Sequence, residues 1–212
     1  MKGIKNIIFD LGAVLLNLEP ERTDAAFAEL VGDDEQHASI KKELYKKELF
    51  TKFETNEVLE LEFVETIKAH NPHPLTDGQV RRAWSAMLLD LPEVRIELLR
   101  RLREAGYKVY LLSNINSIHL TDIYNMIEEV YGDLDFDALF DKPYYSHLIG
   151  RRKPDADTFS FVLEDAGLVA TETLFIDDNA DNVESAATLG INTIHHPANS
   201  DIVAALTNLF NL

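Results

Sequence analysis

The feature that most restricts the possible folds is a short apolar segment near the N-terminus, residues 7–16, which contains a single carboxylate. Such a segment is typical of a strand buried on both faces of a parallel sheet. Asp10 lies where this strand is predicted to end, and Gly12 allows the backbone to turn sharply and to approach a ligand closely. Because open α/β sheets bind ligands at the carboxyl ends of their strands, Asp10 is a candidate for chemistry. A second interpretation, that Asp10 only caps a turn, fits this segment equally well.

The composition disfavours several classes of partner. The chain contains 20 Lys and Arg residues against 37 Asp and Glu residues, and its net charge is −17. A surface of this sign repels polyanions, so we expect neither nucleic acid nor an anionic membrane as a partner. The absence of cysteine excludes disulfides, thiolate zinc sites and cysteine nucleophiles, and it is consistent with a cytoplasmic protein. We expect no signal peptide, because Asp10 interrupts the early apolar segment, and no membrane span, because no segment approaches the length that one needs. No oligomeric state is predicted.

A helical insertion is predicted at residues 18–91, where helical patterns occur and no convincing strand is found. Helices are expected near 21–31, 35–50 and 57–69. A further helix places five apolar side chains on one face: Val80, Ala83, Trp84, Met87 and Leu88. This span is too long for an ordinary crossover between two parallel strands, so it is interpreted as an all-helical subdomain.

The rest of the chain, residues 1–17 and 92–212, predicts strands and helices in regular alternation. Strands are expected at 108–113, 173–177 and 191–194, and a short apolar piece lies at 138–140. Helices are expected between them and at the C-terminal end. This alternation predicts an α/β fold with a doubly wound parallel sheet that is covered by helices on both faces.

Polar side chains follow three of the predicted strands and suggest one site. They are Asp10 after the first strand, Ser113 and Asn114 after the second, and Asp177, Asp178 and Asn182 after a later one. Lys153 belongs to a compact cationic cluster, residues 151–153, that stands out in an acidic chain. Converging carboxylates need a cation, and oxygen ligands without cysteine or clustered histidine favour Mg²⁺. A carboxylate can also attack phosphorus, while a metal, Lys153 and a hydroxyl stabilise the transferring group.

Four segments, residues 9–14, 112–114, 152–155 and 175–179, resemble in order and spacing the four motifs of the haloacid dehalogenase superfamily. The match covers essentially the whole chain, and the helical insertion takes the place of that family's cap. Within the superfamily, the motifs look most like the bacterial phosphatases typified by α-D-glucose-1-phosphate phosphatase. The resemblance implies a Rossmann-like core and a Mg²⁺-dependent phosphomonoester hydrolase that acts on a small, sugar-like phosphorylated metabolite through an aspartyl-phosphate.

The resemblance also implies a role for each residue of the metal site. Asp10 would be the nucleophile and a Mg²⁺ ligand, Gly12 would offer its backbone carbonyl, and Asp178 would offer a second carboxylate. Asp177 and Asn182 would support these ligands without touching the metal themselves, or would act through water.

The phosphate site follows from the same resemblance. Ser113 and Asn114 would hold the transferring phosphoryl group, and Lys153 would neutralise both Asp10 and the phosphate. Three further residues fit either a substrate contact or an ordinary structural role: His119, Trp84 and Arg22.

One position departs from the family pattern. Many phosphatases of this family have a second Asp, the general acid, two residues after the nucleophile, and here that position is Gly12. The loss of such an acid costs roughly 10²- to 10⁴-fold in rate. Either the leaving group needs little protonation, or a water or another side chain substitutes, with Asn17, Glu19 and His119 as candidates. Otherwise the protein is a weak catalyst or a non-catalytic binding protein.

A different reaction also suits Gly12. In a 2-haloacid dehalogenase the halide leaves without a proton, so the missing acid would be no handicap. The group formed by Asp177, Asp178 and Asn182 favours the phosphatase, because dehalogenases need no metal ion.

Overall fold

The computed structural model describes residues 3–198 and 200–211. Within them the chain forms a sheet of five parallel strands in the order β3-β2-β1-β4-β5. The strands are β1 (Asn6–Phe9), β2 (Lys108–Ser113), β3 (Lys142–Tyr145), β4 (Thr173–Asp177) and β5 (Asn192–His195). The chain runs from β1 outward to β3 and then returns to β4 and β5 on the other side of β1. The binding crevice of such a sheet lies at this reversal, so β1 and β4 border it.

Helices cover both faces of the sheet. They are α6 (Glu93–Glu104), α7 (Ser117–Tyr131), α8 (Ser146–Ile149), α9 (Ala156–Asp165), α10 (Ala180–Thr188) and α11 (Ile202–Phe210). Because side chains alternate along a strand, Ile7 and Phe9 of β1 enter one apolar cluster with residues of α6, α7 and α11. Ile8 enters the opposite cluster with Phe159 of α9 and Ala186 of α10. The predicted doubly wound α/β fold is therefore confirmed.

The first strand is shorter than the apolar segment that predicts it. β1 ends at Phe9, and the following residues form a buried loop in which the Ala13 N–H donates to the carbonyl of Leu16 at 2.7 Å. The left-handed backbone conformation falls on Ala13, with φ 58°, and not on Gly12. A Cβ at Gly12 would lie 2.6 Å from Cδ1 of Leu18, so the end of the Leu18 side chain would have to shift to accommodate it. The prediction that Gly12 makes the sharp turn is thus wrong in its mechanism.

A strand was missing from the sequence prediction between α7 and α9. The apolar piece at 138–140 overlaps a 3₁₀ turn, Asp137–Leu139, and β3 begins after it at Lys142. β3 contains Pro143 and lies at the edge of the sheet. An edge strand tolerates a proline that a central strand excludes, so the proline hid this strand from the sequence pattern.

The helical insertion contains α1 (Pro20–Val31), α2 (Asp34–Lys46), α3 (Leu49–Glu54), α4 (Glu60–His70) and α5 (Asp77–Ser85). The single helix predicted near 35–50 is divided by Glu48, whose backbone is left-handed with φ 56°. Phe53, Phe63 and Val80 share an apolar cluster with Ile118 of α7, so these helices pack against the core.

The chain passes between the core and α1–α5 at two segments, and these two segments are hydrogen-bonded to each other. The Asn17 N–H donates to the Asp90 carbonyl at 2.8 Å, and the Leu89 N–H donates to the Asn17 carbonyl at 3.1 Å. The exact extent of the helical insertion, 18–91, stays a prediction. In residues 3–198 and 200–211 no helix combines the length and the apolar character that crossing a membrane requires.

Candidate active site

Three carboxylates lie together at the carboxyl end of the sheet. Asp10 follows β1, and its backbone N–H donates to the carbonyl of Ile176 at 2.9 Å, which holds it beside β4. Asp177 ends β4 and Asp178 follows it. One oxygen of each carboxylate lies within 4.8 Å of the others. Asp10 and Asp177 are buried and Asp178 is half-buried, so the cluster faces the crevice rather than open solvent.

Lys153 lies inside this cluster. Its Nζ donates to Asp10 Oδ1 at 2.6 Å and to Asp177 Oδ2 at 2.7 Å, and its side chain is only 1% exposed. The Asn114 amide fixes the backbone of Lys153, because its Nδ2 donates to the Lys153 carbonyl and its Oδ1 accepts from the Lys153 N–H, both at 2.8 Å. Asn114 therefore fixes the backbone of Lys153, and the two carboxylates fix its ammonium group.

Asp177 is held by the start of α10. The Asn182 amide donates to both oxygens of Asp177 at 3.0 Å, and the Asn179 N–H donates to Oδ1 at 2.8 Å. Asn179 also caps α10 by accepting from the N–H of Asp181. With these partners and Lys153, both oxygens of Asp177 accept hydrogen bonds from the protein, and its supporting role at a metal stays a prediction.

Burial and mutual repulsion raise the pKa values of the carboxylates. Burial raises the pKa of Asp10 to about 7; the Lys153 ammonium opposes this rise, and the Asp177 charge adds to it. Burial and Asp177 also raise the pKa of Asp178. The pKa of Lys153 is raised by Asp10 and Asp177 despite its burial, so the lysine stays charged.

The donor set of this cluster fits a divalent metal. Three carboxylates next to one ammonium leave two negative charges uncompensated, and a divalent cation would balance them. Asp10 and Asp178 provide hard oxygen atoms, which Mg²⁺ prefers. Gly12 lies two residues after Asp10 in the buried loop, and its carbonyl as a third ligand stays a prediction.

The two residues predicted to hold phosphate differ in their surroundings. Ser113 ends β2 in a buried position, and within the described residues its hydroxyl has no hydrogen-bond partner, so it is available to a ligand. The side chain of Asn114 already pairs with the backbone of Lys153. Its amide thus positions Lys153, and a role of Asn114 in holding the phosphoryl group stays a prediction.

His119 and Trp84 form a contact between α7 and α5. Their rings stack with centroids 5.0 Å apart, and the His119 Nε2–H donates to the Trp84 carbonyl at 3.1 Å. Burial lowers the pKa of His119 to about 4, so its imidazole is neutral near pH 7. Thr23 of α1 donates to the same carbonyl at 2.8 Å. These contacts give His119 a structural role, and a substrate contact stays a prediction.

The other candidates lie in exposed surroundings. Arg22 pairs with Glu19 at the start of α1, and both side chains are largely exposed. The Asn17 amide donates to Asp90 Oδ1 at 2.9 Å, between the two segments that join the core to α1–α5. None of these contacts connects Arg22, Glu19 or Asn17 to the carboxylate cluster.

Glu54 is a residue near the site that the sequence prediction missed. It ends α3, and its Oε2 accepts a hydrogen bond from Arg152 Nε at 3.1 Å and forms an ion pair with Nη2 at 3.0 Å. Arg152 directly precedes Lys153. Both partners line a cavity of about 400 Å³ bordered by α1, α2 and α3. No sequence signal separates Glu54 from the many other acidic residues of the helical insertion.

The comparisons with known proteins agree with this geometry. The family model of haloacid dehalogenase-like hydrolases matches residues 4–190. The D-ribitol-5-phosphate phosphatase of Bacteroides thetaiotaomicron is 27% identical over 209 residues, which cover 98% of this chain and 99% of that protein. A sesquiterpene phosphatase of Aspergillus oryzae is 34% identical over 105 residues, 49% of this chain and 50% of that protein.

One solved structure is similar to this chain over nearly the whole length of both. It is a haloacid dehalogenase family enzyme of Bacteroides thetaiotaomicron in complex with magnesium and inorganic phosphate. Its TM-score is 0.81 at 33% identity, covering 98% of this chain and all of that one (100%). The resemblance of the four sequence motifs is thereby confirmed, and the chain belongs to the haloacid dehalogenase-like hydrolase family.

Proposed function

We propose that the protein is a Mg²⁺-dependent phosphomonoester hydrolase that acts through an aspartyl-phosphate on Asp10. The observation that supports this most directly is the position of Lys153, whose Nζ bonds Asp10 at 2.6 Å inside a cluster of three carboxylates. A buried ammonium beside a buried nucleophile suits a reaction in which negative charge is transferred to that nucleophile. The phosphatase relatives and the magnesium and phosphate complex of a similar enzyme support the same reaction class.

In the proposed first step, an oxygen of Asp10 attacks phosphorus and the bond to the leaving-group oxygen breaks. Lys153 holds Asp10 in place and offsets the charge of the phosphoryl group, while the Ser113 hydroxyl donates to a phosphoryl oxygen. Mg²⁺, when bound by Asp10 and Asp178, supplies additional positive charge to the same oxygens. A water molecule then attacks phosphorus, releasing phosphate and restoring the Asp10 carboxylate.

For the substrate, we propose a small phosphorylated metabolite with a sugar-like leaving group. The similarity to a D-ribitol-5-phosphate phosphatase over 98% of the chain supports this class. The net charge of −17 argues against nucleic acid as a substrate. A cytoplasmic location is part of the proposal, since a chain without cysteine suits a reducing compartment.

The lining of the α1–α3 cavity favours a second substrate class. Its wall contains apolar side chains that hydroxyl-rich sugars do not need: Phe27, Val31, Ile40, Leu44, Phe50 and Trp84. An apolar leaving group would bury its surface against them at about 25 cal/mol per Å². The partial similarity to a sesquiterpene phosphatase points the same way.

The test is a phosphatase screen over sugar phosphates, polyol phosphates, alkyl and isoprenyl phosphates, nucleotides and acyl phosphates with Mg²⁺. We expect activity that EDTA abolishes and that Asp10→Asn lowers to background. Activity equal in the wild type and in Asp10→Asn would contradict the proposal and favour a non-catalytic binding protein. Metal-independent release of halide from a 2-haloacid would instead support the dehalogenase.

The covalent step has a separate test. After an acid quench during turnover, mass spectrometry should find the mass of one phosphoryl group on the peptide that contains Asp10. An active enzyme whose peptide stays unmodified under rapid quench would contradict the aspartyl-phosphate.

A further inference from the structure

The proposed reaction lacks a proton donor at the position where its family often has one. Gly12 occupies that position and has no ionisable group. The alkoxide of a sugar or alkyl phosphate is a poor leaving group unless it is protonated. A general acid that supplies the proton raises the rate roughly 10²- to 10⁴-fold. The group that supplies this proton must lie on the side of the crevice that faces the leaving group.

We propose that Glu54, from helix α3, is the general acid that protonates the leaving-group oxygen; this inference rests on the proposed phosphatase function. Its carboxylate reaches the core through Arg152, with Oε2 3.0 Å from Nη2. Arg152 is the neighbour of Lys153, whose Nζ bonds the nucleophile Asp10 at 2.6 Å. The contact with Arg152 therefore holds Glu54 against the loop that carries Lys153.

The cavity gives the leaving group a place beside Glu54. Glu54 and Arg152 line the α1–α3 cavity together with Phe50 and Trp84, and Arg152 is the lining residue that adjoins Lys153 in sequence. The proposal places the leaving group of a substrate bound at Asp10 past Arg152, in this space. Arg152 occupies Oε2 of Glu54, and within the described residues no protein group donates to Oε1. Oε1 is thus free to face a substrate oxygen.

The surroundings of Glu54 favour a protonated carboxyl when substrate is bound. Its side chain is only 24% exposed, and burial raises its pKa, against the opposing effects of the Arg152 and Lys153 charges. A phosphate dianion beside it adds negative charge and raises the pKa further. Arg152 orients the carboxyl, while burial and a bound phosphate both act to raise its pKa.

The other candidates for a donor suit the role less well. His119 is a neutral imidazole near pH 7, and its Nε2–H donates to the Trp84 carbonyl. Glu19 pairs with Arg22 in exposed surroundings, and the amide of Asn17 is not an acid.

The proton balance of the step is complete. As Asp10 attacks phosphorus and the bond from phosphorus to the leaving oxygen breaks, the Glu54 O–H proton moves to that oxygen and an alcohol leaves. In the second step water attacks phosphorus, its proton returns to the Glu54 carboxylate, and its oxygen leaves with the phosphate. No oxidant, reductant or further reactant is needed.

The test compares leaving groups in Glu54→Gln, which keeps the size and the hydrogen bond to Arg152 but has no acidic proton. With the best alkyl phosphate of the screen, we expect kcat/KM to fall roughly 10²- to 10⁴-fold. With p-nitrophenyl phosphate, whose leaving group needs no proton, we expect kcat/KM within a few-fold of the wild type. Across a series of aryl phosphates, the rate should depend more steeply on the pKa of the phenol in Glu54→Gln than in the wild type.

The matched control is Glu60→Gln. Glu60 also lies in the helical insertion, pairs with Arg81 and accepts a hydrogen bond from Ser117 of α7 at 2.7 Å. It links α4 to the core but does not line the α1–α3 cavity. We expect Glu60→Gln to change the rates for both substrates by the same factor, because it alters packing and no proton transfer.

The outcomes separate the proposal from its alternatives. A selective loss with the alkyl phosphate supports Glu54 as the acid. An equal loss with both substrates, or no loss with either, overturns the proposal. If Glu54→Gln does not fold, Glu54→Asp replaces it, with a partial loss confined to the alkyl phosphate expected and an equal loss as the contrary result. A wild type that is inactive even with p-nitrophenyl phosphate overturns the proposed function and this inference with it.

Discussion

The buried lysine gives the sharpest prediction for stability. Lys153 is 1% exposed, and its Nζ bonds Asp10, 12% exposed, and Asp177, 0% exposed. Lys153→Met keeps the length of the side chain and removes the charge. The change leaves two buried carboxylates without their cation, beside Asp178.

The expected cost follows from this burial. Removing one partner of a buried ion pair costs about 3–5 kcal/mol, because the remaining charge stays desolvated. In the double variant Lys153→Met/Asp177→Asn, one of the stranded charges is gone. We therefore expect Asp177→Asn to cost about 0.5–3 kcal/mol less in the Lys153→Met background than in the wild type, the usual coupling between contacting residues.

The assay is urea unfolding at pH 8 in EDTA, so that no metal ion replaces the lost charge. Lys142→Met is the matched control, because Lys142 Nζ also lies 2.6 Å from a carboxylate oxygen, that of Asp165, but is 51% exposed. A pair in such exposed surroundings is worth about 0–1 kcal/mol. If Lys153→Met costs no more than Lys142→Met, the buried cluster does not depend on its lysine and the reasoning fails.

Three further predictions test the metal, the histidine and the glycine. Mg²⁺ at a hundred times its Kd should stabilise the fold by about 2.7 kcal/mol in thermal unfolding, and an equal gain in Asp178→Asn would contradict the assigned ligand. Because the folded pKa of His119 is about 4 and the unfolded value 6.5, its contribution to stability is complete above pH 6.5 and decreases as pH falls toward 4, costing about 2 kcal/mol at pH 5. His119→Gln should therefore lose less stability than the wild type between pH 8 and pH 5 in urea unfolding, and equal losses would refute this. Gly12→Ala places a Cβ 2.6 Å from Leu18 Cδ1, at the end of a side chain that can shift, so we expect a cost of about 1 kcal/mol, at the low end of overpacking, and a smaller cost in a Leu18→Ala background. An unchanged unfolding temperature would contradict the predicted contact.

The sheet and its polar strand ends could be predicted because each depends on local sequence. Apolar segments that stop at Asp10, Ser113 and Asp177 indicate both the strands and the edge where they end. Parallel pairing then brings these residues together, since β1 lies between β2 and β4. The order of the strands places the site without any information on side-chain packing.

The parts that could not be predicted depend on contacts between distant segments. Glu54 meets Arg152 across 98 positions of sequence, and only the packing of α3 against the core brings them together. The pairing of the Asn114 amide with the Lys153 backbone likewise depends on the meeting of two loops. In each case the residue type was visible in the sequence, and its partner was not.

The charges of the site give a reason for a metal ion and an anionic substrate to bind together. Asp10, Asp177 and Asp178 lie near the Lys153 ammonium, so a phosphate dianion that arrives without a cation adds to an excess of negative charge. The net charge of −17 makes the surrounding surface repulsive as well. A divalent cation held by Asp10 and Asp178 removes this excess and favours phosphate, and linkage requires phosphate to favour the cation by the same factor. The acidic composition that argues against polyanionic partners therefore also explains why a small phosphate needs both the buried lysine and the metal.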